Sequence, residues 1–184
     1  MRMNSGVQTD DVLRLLEDAS LPASIRSALT AGSELTRITL DSEGQWRHEE
    51  ELFVNTNLIT LFHRSIRRTT GGSYFLQIPP FSYPISVVDT PRYVRHIRWS
   101  QTAHATNINL FLSDGSEELL DPSCLSYVPA RGLYCQVLAP DGGSWPARFL
   151  RPAYYSISEH IIEQNDEYFL DLSSGRVSIP VVSG

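Results

Sequence analysis

The spacing of hydrophobic residues changes after residue 34, from a helical period to a strand period. Over residues 9–31 the apolar residues recur three and four positions apart, and a proline divides them into two groups. Thr9 precedes two aspartates, an order typical of a helix N-terminus, and Gly32 is a typical C-terminal cap. The pattern predicts a helical hairpin over residues 1–34 that packs or dimerises through its apolar face.

From residue 35 onward, short segments alternate between apolar and polar residues and are separated by turn sequences, which predicts β-strands. Two longer segments, residues 57–68 and 152–164, have helical spacing instead, and Pro152 stands in the first turn of the second, where proline is favoured. The first helix is predicted to bury four apolar side chains, those of Leu58, Leu61, Phe62 and Ile66. Predicted strands occupy residues 35–40, 45–48, 73–78, 85–88, 92–99, 108–112, 133–138, 168–172 and 177–182.

One order of elements occurs twice in this part of the chain. Each copy has a glycine-containing turn, then a tryptophan (Trp46 or Trp145), then a helix, and then a strand that contains Tyr-Phe-Leu, starting at Tyr74 or Tyr168. The repeat predicts an α+β fold of two similar lobes, with chance similarity of short hairpin-helix-strand units as the alternative. A cleft between such lobes is a common place for a ligand. The predicted domains are a helical segment at 1–34, a first lobe at 35–100 and a second lobe at 101–184.

Composition excludes several classes of protein. The chain is 41% hydrophobic and 20% charged, an ordinary globular balance. No apolar run approaches the roughly 18 residues that a membrane helix needs, and the N-terminus lacks the apolar core of a signal peptide, so we expect a cytoplasmic protein with no membrane span. All 15 basic side chains other than histidine are arginine, which excludes Schiff-base lysine chemistry and the Walker phosphate loop. Cys124 and Cys135 are interpreted as small buried residues.

Positive charge is concentrated in the middle of the chain. Residues 64–98 contain six arginines and one acid, Asp89, so this segment is +5 and the remainder is −11, within a formal net charge of −6. Guanidinium groups match phosphate oxygens with two parallel hydrogen bonds, so the segment favours the binding of an anion. The pattern places Arg64, Arg67 and Arg68 on one face of the first predicted helix, where stabilisation of the helix C-terminus is the alternative role.

Several longer motifs together give a resemblance to a known family. The chain reads DSEGQWRHEEELFVNTNLITLFHRSIRR, then GGSYFLQI and ISVVDTP, and later ARFLRPAYYSISEHI and DLSSGRVSIPV. In their order and spacing these motifs resemble the domain of unknown function 1285 family of bacterial proteins. The resemblance implies a duplicated α+β core, a second lobe superficially like a pleckstrin-homology barrel, and a site for a nucleotide-like ligand between the lobes. It also implies a role in signal transduction, and no enzymatic activity is established for the family.

One departure from the family's pattern concerns its acidic residues. Where the family usually has Val-Glu-Asp before a small residue and proline, this chain has Val-Val-Asp, which leaves Asp89 as the single acid of the motif. The predicted ligand-binding residues are Arg64, Asp89, Arg92, Trp46 and Tyr74. In this hypothesis the arginines neutralise phosphate, the aspartate orients them, and the aromatic rings line the cleft. Capping of a turn is the alternative role of the aspartate.

The function favoured by these features is non-enzymatic binding of a small anionic, nucleotide-like ligand. No nucleophile motif and no HExxH pair is present, so we expect no catalytic residues, no metal and no cofactor. The acidic charge balance and the lack of a recognition helix argue against binding to duplex nucleic acid. Alternating aromatic and basic residues over 92–99 form a possible stacking platform for a base, with packing in a core as the alternative.

Two other hypotheses for the function stay open from the sequence. One is a protein–protein interaction module, in which the second lobe or the N-terminal helices bind a protein partner. The other, less favoured, is a phosphoester-processing enzyme in which Asp89 and a histidine act as acid and base. Exposed apolar patches without a lined pocket would favour the interaction module.

Overall fold

The computed structural model describes residues 38–48, 51–79, 81–101 and 106–183, together with positions 17 and 19. Apart from those two positions, the predicted N-terminal helical hairpin lies outside the described residues. Contacts divide the chain into two compact units, Met1–Asp89 and Thr90–Gly184. Strands predominate and each unit contains an α-helix, so the predicted α+β class is confirmed. No helix in the described part of the chain is long and apolar enough to cross a membrane.

The first unit is built on a six-stranded sheet. Its elements are β1 (Ile38–Leu40), β2 (Trp46–His48), β3 (Glu51–Leu52), α1 (Thr56–Ser65), β4 (Ile66–Arg68), β5 (Tyr74–Ile78) and β6 (Phe81–Val87). The strand order is β3-β2-β1-β6-β5-β4. Strands β1 and β6 are parallel, and the other neighbouring pairs are antiparallel. The carboxyl ends of β1, β4 and β6 therefore lie at the same edge of this sheet.

The helix α1 is shorter than the sequence pattern predicts. The side chain of Asn55 caps its N-terminus by accepting hydrogen bonds from the backbone N–H groups two and three residues later. The helix ends at Ser65, and the next three residues, predicted as helix, form β4 because Ile66 is fully buried in a cross-strand pair with Leu76. The prediction that Leu61 is buried is wrong, since its side chain is 43% exposed. The buried face of the shorter helix is narrower than the sequence pattern predicted.

The second unit contains another six-stranded sheet. Its strands are β7 (Arg92–Gln101), β8 (Thr106–Leu112), β9 (Glu117–Leu119), β10 (Ser126–Val128), β11 (Gly132–Leu138) and β12 (Ser144–Phe149). A 3₁₀ turn over Pro122–Cys124 connects β9 to β10. The strand order is β10-β11-β12-β7-β8-β9, and β7 is parallel to β12. The inward side chains of this sheet supply most of the buried core of the unit.

After this sheet, the second unit continues with a helix and a three-stranded antiparallel sheet. The elements are α2 (Arg151–Ser158), β13 (Ile161–Gln164), β14 (Glu167–Leu172) and β15 (Gly175–Ile179). As predicted, Pro152 lies in the first turn of α2, and β14 and β15 form a closing hairpin. The helix was expected to run through residue 164. It ends at Ser158 because β-branched Ile161 and Ile162 pair with β14 and add a third strand.

Both six-stranded sheets have the same connectivity. When the strands of each sheet are numbered one to six in chain order, the order is three-two-one-six-five-four, with strands one and six parallel. The two similar lobes are therefore present as a repeated sheet topology. The two tryptophan-bearing segments are not equivalent in that repeat, since Trp46 lies in the second strand of its sheet and Trp145 lies in the sixth. Likewise, α1 lies inside the first repeat, whereas α2 follows the second.

The strand β7 belongs to the second unit. The boundary drawn from the sequence, after residue 100, places this segment in the first lobe. In the structure β7 pairs with β8 and β12, which are strands of the second unit. Contacts accordingly divide the chain between Asp89 and Thr90, before β7 begins.

Candidate functional site

A cavity of about 480 Å³ opens on the second unit. Its lining includes Trp99, Gln101, Thr106, His160, Asp171 and Ser173. These residues come from the C-terminal end of β7, the N-terminal end of β8, the turn after α2, and β14 with the turn that follows it. Drug-sized and cofactor-sized ligands occupy pockets of roughly 300–1,000 Å³, so the cavity has the size for a small molecule.

An aromatic pair forms one side of this cavity. The rings of Trp99 and His160 have centroids 4.0 Å apart, with an angle of 43° between their planes. Trp99 is half-buried and His160 is exposed. One member of the pair therefore packs partly against the second unit, and the other faces solvent. The backbone N–H of His160 donates to the carbonyl of Ile157, and its own carbonyl accepts from the N–H of Asp171. The backbone of His160 is thus held in place by both α2 and β14.

The polar groups of the cavity offer both donors and acceptors. The hydroxyl oxygens of Thr106 and Ser173 lie 2.6 Å apart and share a hydrogen bond. The carboxylate of Asp171 lies 3.6 Å from Nε of Arg176, whose Nη1 also donates to Oε1 of Gln164. The cavity therefore combines flat aromatic surface with hydroxyl groups, a carboxylate and an adjacent guanidinium group.

In the first unit, Arg68 and Tyr74 form a second surface with functional potential. They are directly opposite each other across β4 and β5, and the guanidinium carbon of Arg68 lies 5.6 Å from the centre of the Tyr74 ring. Burial raises the pKa of the Tyr74 hydroxyl, and the positive charge of Arg68 offsets part of that rise. Gly72 has φ +92°, and a Cβ atom there would lie 3.6 Å from Nη2 of Arg68. Arg68 is exposed, so its charge faces solvent.

The other predicted groups of this unit lie around the same sheet. Asp89 follows β6, at the carboxyl edge where β4 ends and β5 begins, and is half-buried. Arg64 is exposed in the last turn of α1, at the opposite end of β4 from Arg68. Arg67 donates from Nη1 to the carbonyl oxygens of Arg64 and Ile66, so its guanidinium group stabilises the end of the helix. Because α1 ends before them, Arg67 and Arg68 lie on β4 and not, as predicted, on the helix.

Trp46 does not line an open surface. Its side chain is 1% exposed, and its ring packs edge-on against Phe62 and His63 of α1, with centroid distances of 5.2 and 5.3 Å. The sequence assigned Trp46 to a ligand cleft, but the structure places it in the core where α1 packs on the sheet. Its role there is structural.

Arg92 is also a core residue. It is 2% exposed, its Nη2 lies 3.1 Å from Oδ2 of Asp114, and its guanidinium carbon lies 5.1 Å from the centre of the Trp145 ring. Burial raises the pKa of Asp114, but hydrogen bonds from Ser116 and the charge of Arg92 outweigh burial, so that pKa lies below its ordinary value. Arg92 belongs to the second unit, whereas Arg64, Asp89, Trp46 and Tyr74 belong to the first.

The sequence singled out one residue of the cavity, Trp99, as part of an aromatic and basic run. His160, Asp171 and Ser173 lie within the motifs that resemble the family, but nothing in those motifs indicated that they meet Trp99, because separate elements bring them together through packing. Within the described ranges, no group of three or more His, Cys, Asp or Glu side chains is placed to hold a metal ion.

Comparison with known proteins links the chain to one fold. No family model and no curated protein matches the sequence. A solved structure of a DUF1285 family protein from Silicibacter pomeroyi DSS-3 is similar over 77% of this chain and 78% of its own length, with a TM-score of 0.59 and 14% identity. A DUF1285 family protein from Shewanella baltica OS155 is similar over 69% of this chain and 94% of its own, with a TM-score of 0.51 and 18% identity. The fold is shared with this family, so the resemblance seen in the motifs is confirmed at the level of the fold.

Proposed function

We propose that this protein binds a small anionic, nucleotide-like ligand in the cavity of its second unit and acts in signal transduction without catalysing a reaction. The observation that carries the proposal is the Trp99–His160 pair, which presents aromatic surface in a cavity of about 480 Å³. Stacking of a base on an aromatic side chain contributes about 1–3 kcal/mol and tolerates different bases. A heteroaromatic ring is therefore the ligand part that this cavity suits best.

The remaining groups of the cavity match the rest of such a ligand. The carboxylate of Asp171 is an acceptor for the N–H groups of a base, and the hydroxyls of Thr106 and Ser173 can hydrogen-bond a sugar. Arg176, which pairs with Asp171 at 3.6 Å, supplies the positive charge for a phosphate. Each of these contacts uses a residue of the second unit.

The exposed arginines of the first unit are proposed as a separate surface for an anion. Arg68, held over the Tyr74 ring, is its centre, and Arg64 and Asp89 remain proposed contributors. Trp46 and Arg92 are left out of the ligand contacts because their side chains are buried. Since the two proposed surfaces belong to different units, variants can test them independently.

The interaction-module hypothesis remains the runner-up. Its structural basis would be the likeness of the second unit to a pleckstrin-homology barrel, which stays a prediction. Apolar side chains such as Val54 and Leu138 are exposed, but scattered exposed residues are common on soluble proteins. A lined cavity with both aromatic and polar groups supports a small molecule more directly.

A thermal-shift panel tests the proposed function. Nucleoside mono- and triphosphates, cyclic dinucleotides and inorganic phosphate should be compared, because a ligand that binds only the native state raises the unfolding midpoint with concentration. We expect a nucleotide to raise the midpoint. We expect Trp99→Ala to weaken binding by about fivefold to 150-fold, the amount that corresponds to one lost stacking contact.

Two controls make the result specific. Tyr155→Ala removes an aromatic side chain of the same unit that is 64% exposed and outside the cavity lining, so it should leave the shift unchanged. Comparison of Arg68→Ala with Arg131→Ala, a substitution at another exposed arginine, shows whether the proposed anion surface of the first unit contributes to the thermal shift. If no nucleotide in the panel raises the midpoint, the proposed function is wrong and a search for protein partners takes its place.

A further inference from the structure

Two thiols meet in the second unit. Cys124 ends the 3₁₀ turn Pro122–Cys124, and Cys135 lies in β11. The backbone N–H of Gln136, the residue after Cys135, donates to Sγ of Cys124 at 3.3 Å. Cys124 also packs against the core cluster of the second unit that contains Cys135. The sulfur of Cys124 therefore lies beside the backbone that follows Cys135 in β11.

The two sulfurs have different surroundings. Cys135 is 1% exposed within the core of the second unit, whereas Cys124 is half-buried and packs against the edge of that core. The thiol of Cys124 also lies 2.9 Å from the carbonyl oxygen of Asp121, to which it donates when protonated. Cys124 is thus the thiol that a small reagent in solution can reach, and Cys135 is the thiol behind it.

Two hydrogen bonds to the sulfur of Cys124 favour its thiolate. The hydrogen bonds from Cys135 and from the N–H of Gln136 lower the pKa of Cys124 to about 7, although burial opposes them. The Cys135 pKa is raised well above its ordinary value by the same thiol contact and by burial. One thiolate beside one thiol is the arrangement from which a disulfide forms after oxidation.

We propose that Cys124 and Cys135 form an oxidisable dithiol that hydrogen peroxide converts to an intramolecular disulfide. In the first step the Cys124 thiolate attacks one peroxide oxygen, an S–O bond forms, the O–O bond breaks, and hydroxide leaves and is protonated to water. In the second step the sulfur of Cys135 attacks the sulfenic sulfur, the S–S bond forms, and the S–O bond breaks. The proton of Cys135 leaves with that oxygen as a second water. Both sulfurs are oxidised by one electron each, and one peroxide is reduced to two waters.

The position of Arg131 makes this reaction easy to follow. Trypsin cleaves after arginine, and Arg131 separates a peptide of residues 99–131, which contains Cys124, from a peptide of residues 132–148, which contains Cys135. The reduced full-length protein should be treated with hydrogen peroxide, alkylated, digested without reductant and analysed by mass spectrometry. We expect the two peptides to be joined, the intact protein to lose two hydrogens, and both changes to disappear after treatment with a reductant.

Matched variants separate the two thiols. In Cys135→Ala the half-buried thiol of Cys124 remains, so a sulfenic acid there should be trapped by dimedone and no joined peptides should form. In Cys124→Ser the buried thiol should stay unoxidised at the same peroxide concentration, and circular dichroism confirms that each variant is folded. Alkylation of Cys124 in the reduced protein should increase with pH through a midpoint of about 7.

Three results would overturn the proposal. Oxidation of Cys124 to sulfinic acid in the wild type, with the two peptides unjoined, would show that Cys135 does not attack. Disulfide-linked dimers without the internal crosslink would show that the thiols react between molecules. Unreacted cysteines at peroxide concentrations that oxidise a free thiol would show that neither is a reactive group.

Discussion

Replacing Arg92 with alanine should lower the free energy of unfolding of the second unit by about 3–5 kcal/mol, the usual cost of removing one partner from a buried ion pair. The side chains of Arg92 and Asp114 are only 2% and 15% exposed, so the substitution leaves a largely buried carboxylate without its cation. It also removes the guanidinium group from the face of Trp145. Urea unfolding, followed by tryptophan fluorescence, measures the loss.

The same variant should change the dependence of stability on pH. A carboxyl group with a lowered pKa in the folded state stabilises the protein above its unfolded-state pKa, and this stabilisation is lost as the pH falls through the folded-state pKa. Because Arg92 contributes to the lowered pKa of Asp114, the difference between wild type and Arg92→Ala should shrink in the acid range. Arg131→Ala, at an exposed arginine of the same unit, should change stability by less than about 0.5 kcal/mol. If Arg92→Ala lowers the free energy of unfolding only slightly, the assignment of Arg92 to the core is wrong, and the residue is again a candidate ligand contact.

Replacing Trp46 with alanine should destabilise the first unit by about 3–5 kcal/mol, as expected for a large aromatic side chain lost from a core. The ring is 1% exposed and packs against Phe62 and His63, so its removal leaves a cavity where α1 meets the sheet. The measurement is again urea unfolding, with Leu52→Ala as control, because Leu52 is 46% exposed in the same unit. A Trp46→Phe variant, which retains an aromatic ring, should recover part of the loss.

The outcome for Trp46 also tests what the residue does. If Trp46→Ala unfolds as readily as wild type but no longer binds a nucleotide, the residue lines a ligand site and its assignment to the core is wrong. The core assignment instead predicts that the more stable Trp46→Phe variant binds nucleotide with the wild-type affinity. Stability and binding therefore separate the two roles.

The sequence predicted much of the local structure because short-range patterns determine it. The start of α2 at Pro152 follows from the strong local preference of proline for the first turn of a helix, and it is confirmed. The C-terminal ends of both helices were placed too late. Ile66 and Ile161 fit a helical pattern, but each pairs instead with the next strand along the chain, with Leu76 and Leu170. A pattern of three- and four-residue spacings does not show such a cross-strand pair.

The candidate site was harder to predict than the fold. Trp46 and Arg92 attracted attention as an aromatic and a cation, but a residue type does not reveal burial, and both are core side chains. Two six-stranded sheets of the same topology agree with the prediction of two similar lobes. The hairpin-helix-strand units from which the lobes were predicted are not the repeat, since the tryptophans and the helices occupy different places in the two copies. The cavity is lined by Trp99, His160 and Asp171, which are far apart in the sequence and come together only after folding.

A nucleotide-like ligand that stacks beside Trp99 should change the fluorescence of that residue. Of the three tryptophans, Trp46 and Trp145 are 1% and 2% exposed, whereas Trp99 lines the cavity, so its fluorescence should report on binding. The measurement is a fluorescence titration of wild type and Trp99→Phe with the nucleotide that gives the largest thermal shift. We predict saturable quenching in wild type that is absent from Trp99→Phe. Equal quenching in both proteins, or no quenching in wild type while the thermal shift persists, would show that the ligand does not stack beside Trp99 and binds elsewhere.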